Sequence, residues 1–147
     1  MINKLLLLGA LFFSTSQSIG NSKDSSSYAN IDEVITEHIA LDFEVDFDNK
    51  NFDGNVVLSM LTVADGVNSV FLDSAGLDVH KVDYQHKHEG CSIWTTVHFN
   101  VTKPNQYLGN AIEVFLPSAQ PKNSEFFVRL YYTTNSNSTA INWLTPE

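Results

Sequence analysis

The chain has 147 residues, enough for one domain with a real hydrophobic core. Its hydrophobic fraction of 43% excludes a chain disordered throughout, and its formal net charge of −9, with no basic stripe to reverse the field locally, excludes nucleic acid as a partner. Cys91 is the only cysteine, so an internal disulfide is excluded and stability must come from packing.

The first 18 residues read as a signal peptide. Lys4 supplies a positive start, residues 5–13 form a short apolar run, and Ser16-Gln17-Ser18 puts small residues where a signal peptidase cuts. The run is too short to cross a bilayer core of ~30 Å. The expected product is secreted or periplasmic, with no membrane attachment after cleavage. Loss of Lys4 leaves seven basic against seventeen acidic residues. Residues 19–35 then read as a flexible lead-in, small and polar up to Ser27, with a short turn over 31–35.

From residue 36 to 147 the pattern is that of a β domain. Ile39, Leu41, Phe43, Val45 and Phe47 occupy alternate positions with Asp42, Glu44 and Asp46 between them, which predicts a strand with one buried and one wet face. Asp48-Asn49-Lys50-Asn51 is a turn cluster, so the run 52–63 is expected to fold back as a hairpin, with Gly54 marking a bulge or bend. Strands are expected at 70–72 and 77–84 on either side of Ser74-Ala75-Gly76, then at 91–101. Two more are expected at 111–116, ended by Pro117, and at 126–134. The fold class is therefore all-β, an antiparallel sandwich or saddle of about seven strands, with charges on alternate faces arguing against parallel pairing.

One loop concentrates ligand chemistry. His86-Lys87-His88-Glu89-Gly90-Cys91 holds three residue types able to bind a transition metal, with His80 and His98 nearby in sequence. His86 and His88 are the candidate ligands. Lys87 between them opposes a cation, and a solvated hairpin loop accounts for the same composition. Cys91 is expected to be a buried inert thiol, His38 a surface residue, and Trp94 and Trp143 packing residues. Asn100-Val101-Thr102 and Asn137-Ser138-Thr139 are glycosylation sequons, so Asn100 and Asn137 are candidate sites if the cell is eukaryotic.

Three blocks carry a family resemblance. Thr36-Glu37-His38 leads into the alternating run that ends Val45-Asp46-Phe47, and Phe71-Leu72-Asp73-Ser74-Ala75-Gly76 leads into a strand ending at Val82. The third and most specific block is Trp143-Leu144-Thr145-Pro146-Glu147, preceded by the small-residue run Ser138-Thr139-Ala140. In this order and spacing they resemble the N-terminal β domain of the leukotriene hydrolase-like zinc aminopeptidases. The resemblance implies a zinc exopeptidase as the full-length parent, with zinc held by H-E-x-x-H and a downstream Glu, and a Gly-x-Met-Glu-Asn segment holding the substrate's amine. None of these motifs is in the sequence, and no two histidines are four residues apart.

The resemblance therefore implies a domain incomplete at its C-terminus and inactive by itself. It would bind no cofactor, and its partner would be the parent's catalytic domain. A cut sheet would leave an apolar face uncovered, expected at Phe126, Val128, Leu130 and Tyr132 on the last strand. The rival readings are a free-standing secreted β-sandwich that binds a partner, and a small metal module built on His86 and His88.

Overall fold

The computed structural model describes residues 25–87, 93–103, 105–136, 138 and 141–144. The signal segment, His88, Cys91, Asn137 and Thr145-Pro146-Glu147 lie outside them. Eight strands fill most of the described residues: β1 (Val34–Asp46), β2 (Asn51–Thr62), β3 (Val67–Ser74), β4 (Leu77–His86), β5 (Thr95–Thr96), β6 (Phe99–Val101), β7 (Asn110–Gln120) and β8 (Glu125–Thr134). They form a five-stranded sheet in the order β1-β2-β8-β4-β5 and a three-stranded sheet in the order β3-β7-β6. Every pairing is antiparallel.

The all-β expectation holds, with eight strands in place of about seven. The run 91–101 accounts for the difference. Its described part is split between the two sheets, β5 pairing with β4 and β6 with β7. Ser74-Ala75-Gly76 likewise turns a corner between sheets, since β3 and β4 do not pair with each other. β7 runs past Pro117 to Gln120. Its register against β3 is irregular there, jumping from Phe115 opposite Ser69 to Gln120 opposite Val67. A proline that cannot donate to the ladder is tolerated in such a break.

Two one-residue slips set which side chains reach the core. β1 has its irregularity between Thr36 and His38, β4 between Val79 and Lys81. Because strand side chains alternate with period two, each extra residue switches the inward set. In β4 that set passes from Leu77 and Val79 to Val82 and Tyr84, all in or against the core. No slip falls at Gly54, which pairs in register with Phe43 and Tyr132. Glycine is needed there for a close approach instead, because a β-carbon would stand 2.1 Å from the Asp42 carbonyl oxygen.

The core lies between the sheets. Val56, Leu58 and Met60 of β2, Phe126, Val128 and Leu130 of β8, and Val82 and Tyr84 of β4 meet Val67, Val70, Ile112, Val114 and Leu116 of the smaller sheet. Each large apolar side chain so buried contributes roughly 1.5–3 kcal/mol. Thr62 is buried with its hydroxyl donating to the Pro121 carbonyl at 2.6 Å and accepting from the Ser124 amide at 2.8 Å, which ties the turn before β8 to the end of β2. The expected exposure of Phe126, Val128, Leu130 and Tyr132 is wrong. β8 is inserted between β2 and β4, so the last strand is central and these four are buried.

Candidate functional site

The uncovered apolar surface belongs to β1. Past the slip at Glu37, Ile39 and Leu41 lie opposite Leu58 and Val56, on the face that carries the core. The three-stranded sheet does not extend over this part of the larger sheet. Ile39 is 56% exposed, Leu41 62% and Phe47 75%. Between β1 and the end of the smaller sheet runs a groove of about 250 Å³, lined by Ile39, Val56, Leu58, Leu72, Ile112 and Leu130 among others. Thr36 and Asp73 supply its polar rim. An apolar groove with so few polar groups is suited to covering by another polypeptide surface rather than to catalysis.

The hairpin end of β1 and β2 holds a second concavity, of about 510 Å³, lined by Glu44, Asp46, Asp48 and Asp53 with Val45, Phe47 and Asn51. Two of its acids are engaged, Asp46 within the turn and Asp53 with β8. Asp46 accepts from the Asn49 amide at 2.8 Å and from Asn49 Nδ2 at 2.7 Å, and the backbone donor chiefly holds its carboxyl below the usual range. Asp53 accepts from the Thr133 hydroxyl at 2.8 Å, and that hydroxyl is in turn 2.7 Å from His80 Nε2.

Beside this end, Trp143 packs edge-on against Phe47 and Phe52, with ring centroids 5.9 and 5.6 Å apart. Phe52 continues to Phe43 at 6.0 Å, and Phe43 to Tyr132 at 5.6 Å. Trp143, the first residue of the block that carries the most specific resemblance, thus packs on the β1–β2 hairpin. Trp94 is also a packing residue. The Arg129 guanidinium lies 3.8 Å from its ring centroid, and Arg129 Nη1 donates to the Tyr131 hydroxyl at 3.1 Å.

The same outward face of the larger sheet holds a buried carboxylate. Asp83 accepts from Lys81 Nζ and from the Thr96 hydroxyl, each at 2.8 Å. Burial pushes its carboxyl up, but the donors Lys81, Thr96 and Tyr131, with the Lys81 charge, outweigh burial and hold it below the ordinary value. This network fixes the two-residue β5 against β4.

The four described histidines are not gathered into a site. His86 is exposed at the end of β4, opposite Phe126, and its neighbour Lys87 is ion-paired with Glu125. The Glu125 hydrogen bond, then its charge, holds the Lys87 ammonium above its ordinary value. His80 sits at the far end of β4, His98 stacks on Phe115 with centroids 5.4 Å apart, and His38 is exposed on β1. Among the described residues no group of three His, Cys, Asp or Glu side chains is placed to hold a metal, and the candidate ligand His88 lies outside those residues. Asn100 is exposed on β6, and the Thr102 hydroxyl of its sequon accepts from the Ala111 amide at 2.9 Å.

What sequence reasoning missed is the groove. The sequence carries no clear signal for it, since Ile35 stands in phase with Ile39 and hides the slip at Glu37.

No protein-family model matches the chain. It is similar to leucine aminopeptidase 2 of Phaeosphaeria nodorum, 32% identical over 126 residues that make up 84% of this chain and 19% of that protein. It is similar to leukotriene A-4 hydrolase of Xenopus laevis, 27% identical over 124 residues with the same coverage of each. The chain thus spans about a fifth of the length of the curated relatives it matches. Among solved structures, native leukotriene A4 hydrolase from Saccharomyces cerevisiae aligns over 84% of this chain and 18% of its own, with a TM-score of 0.68 and 19% identity. The M1 zinc metallopeptidase of Deinococcus radiodurans aligns over 70% of this chain and 21% of its own, at a TM-score of 0.55 and 17% identity. In both the shared part is the N-terminal β domain.

Proposed function

We propose that this chain, an N-terminal β domain of the leukotriene hydrolase-like zinc aminopeptidase type, serves as a non-catalytic structural domain and hydrolyses no peptide by itself. The observation that carries the reading is the extended match to leucine aminopeptidase 2, which covers 84% of this chain but only 19% of that protein. In the parent enzyme, zinc and the water-activating carboxylate belong to the catalytic part, and the product chemistry is removal of N-terminal residues from peptides. The partner of this domain is that catalytic part. The groove over β1 is its seat, because it is the apolar face the two sheets leave open.

Export to the periplasm or the extracellular space completes the proposal. Lys4, the apolar run 5–13 and the small residues Ser16 and Ser18 support it. An exported location favours peptide trimming over lipid-mediator chemistry.

The test is an aminopeptidase assay on the purified chain with aminoacyl reporter substrates and added zinc. No turnover above a mock preparation is expected. Zinc-supported turnover that follows the protein through repurification would overturn the proposal.

A further inference from the structure

The two sheets end differently at their edges. Along β3, residues 27–30 lie on the open side. The Ser27 hydroxyl and Tyr28 amide donate to Asp73 at 2.6 and 2.8 Å, and Asn30 Oδ1 accepts from the Phe71 amide at 2.9 Å. β1 has no such cover. Among the described residues its backbone past Val34, whose amide donates to the Asn30 carbonyl at 3.0 Å, pairs only with β2, so most of the strand presents an open row of N–H and C=O groups. Natural edges are usually blunted by charges, lysine above all, by proline or by a bulge. β1 has neither lysine nor proline, and its acids Asp42, Glu44 and Asp46 and its slip at Glu37 leave Ile39, Leu41 and Phe43 in an unbroken apolar row.

We propose that β1 pairs antiparallel with β1 of a second copy, about a two-fold axis through Leu41, joining two five-stranded sheets into one. The charge pattern selects this register. The slip at Glu37 leaves the stretch from His38 onward regular. An axis through Leu41 sets His38 opposite Glu44, Ile39 opposite Phe43, Ala40 opposite Asp42, and Leu41 opposite itself. His38 is then a ring N–H donor facing a carboxylate, and the apolar pairs meet on the face that is exposed in the single copy. Moving the axis to Asp42 places two Asp42 carboxylates against each other. Moving it to Phe43 opposes Asp42 with Glu44. Moving it to Ala40 shortens the regular ladder from 38–44 to 38–42, since both end at the slipped residue Glu37. Since a shift of register changes every cross-strand pair, the axis through Leu41 gives the longest regular ladder that is free of like-charge pairs.

The interface is an isologous one, as a two-fold requires. It uses the edge of the sheet rather than the face over the groove, so it goes beyond the domain assignment above and stands or falls separately from it. A catalytic partner seated over the groove covers side chains from above and leaves the β1 edge groups open.

The experiment is sedimentation of the purified chain across the micromolar range, repeated with charge variants that keep the β spectrum by circular dichroism. The wild-type chain is expected to dimerise. His38→Glu, which sets carboxylates opposite each other twice per dimer, is expected to weaken dimerisation about tenfold or more, and the swap His38→Glu with Glu44→His to restore it. As a second arm, Leu41→Cys in a Cys91→Ser background is expected to form a covalent dimer on mild oxidation faster than Tyr107→Cys in the same background, Tyr107 being a more exposed position remote from β1. A chain monomeric at every concentration, or a dimer indifferent to the swap, would overturn the proposal. So would Leu41→Cys cross-linking no faster than Tyr107→Cys.

Discussion

The ring of Phe43 lies against Gly54 across the β1–β2 hairpin, close enough that a β-carbon at Gly54 would stand 2.9 Å from Phe43 Cδ1. The same β-carbon would stand 2.1 Å from the Asp42 carbonyl oxygen, which is backbone and cannot rotate away. Gly54→Ala must therefore separate β1 from β2 locally. A loss of about 1–3 kcal/mol is expected, as for other overpacked sites, read as a lower urea midpoint with an unchanged slope.

Burial separates β8 from β1 in a second prediction. Phe126 is fully buried and touches Tyr84 at 5.5 Å between ring centroids, whereas Leu41 stands open on β1. Phe126→Ala is expected to cost ~3–5 kcal/mol, and Leu41→Ser within about 0.5 kcal/mol, in parallel denaturation of the two variants. Leu41→Ser together with Ile39→Ser should also lower the binding of a hydrophobic dye, because those two side chains form part of the open apolar face.

Acid sensitivity follows from Asp83. Its carboxyl is held below the ordinary value in the folded state despite burial, by Lys81, Thr96 and Tyr131. A depressed folded-state value means the contribution is present above the unfolded value of about 3.9 and is lost as pH falls through the lower folded value. Asp83→Asn is expected to weaken the fold by roughly 1–3 kcal/mol at neutral pH, and to flatten the decline of stability below about pH 4. Thermal unfolding from neutral to acid pH of both proteins measures this.

The histidine loop gives a fourth prediction. His86 is exposed, and its neighbour Lys87 brings a positive charge held by Glu125. Replacing His86 and His88 together with alanine should leave metal content unchanged and stability within about ±0.5 kcal/mol. A clear loss of bound metal would revive the metal-module reading.

Period-two patterning and turn residues sufficed for the antiparallel all-β class and for the places of most strands. Sheet membership was not legible in the same way. Ser74-Ala75-Gly76 looks like a hairpin turn locally, but pairing of β4 with β8 and of β3 with β7 brings together residues far apart in sequence, as Tyr84 with Val128. The burial of β8 was missed for the same reason, since its central position depends on partners on both sides. Alternation in β1 correctly marked a strand, but the expected burial of its apolar face fails. Ile39, Leu41, Val45 and Phe47 are exposed, because no pattern within one strand can report that its apolar face lies beyond the reach of the opposing sheet.

The central claim is that this domain supplies structure, not chemistry, to an aminopeptidase. The most direct measurement replaces the matching N-terminal segment of Phaeosphaeria nodorum leucine aminopeptidase 2 with this chain's residues, and assays the purified chimera on an aminoacyl reporter beside the isolated chain. The account predicts zinc-dependent turnover by the chimera and none by the isolated chain. A folded chimera without activity, or turnover by the isolated chain, would contradict it.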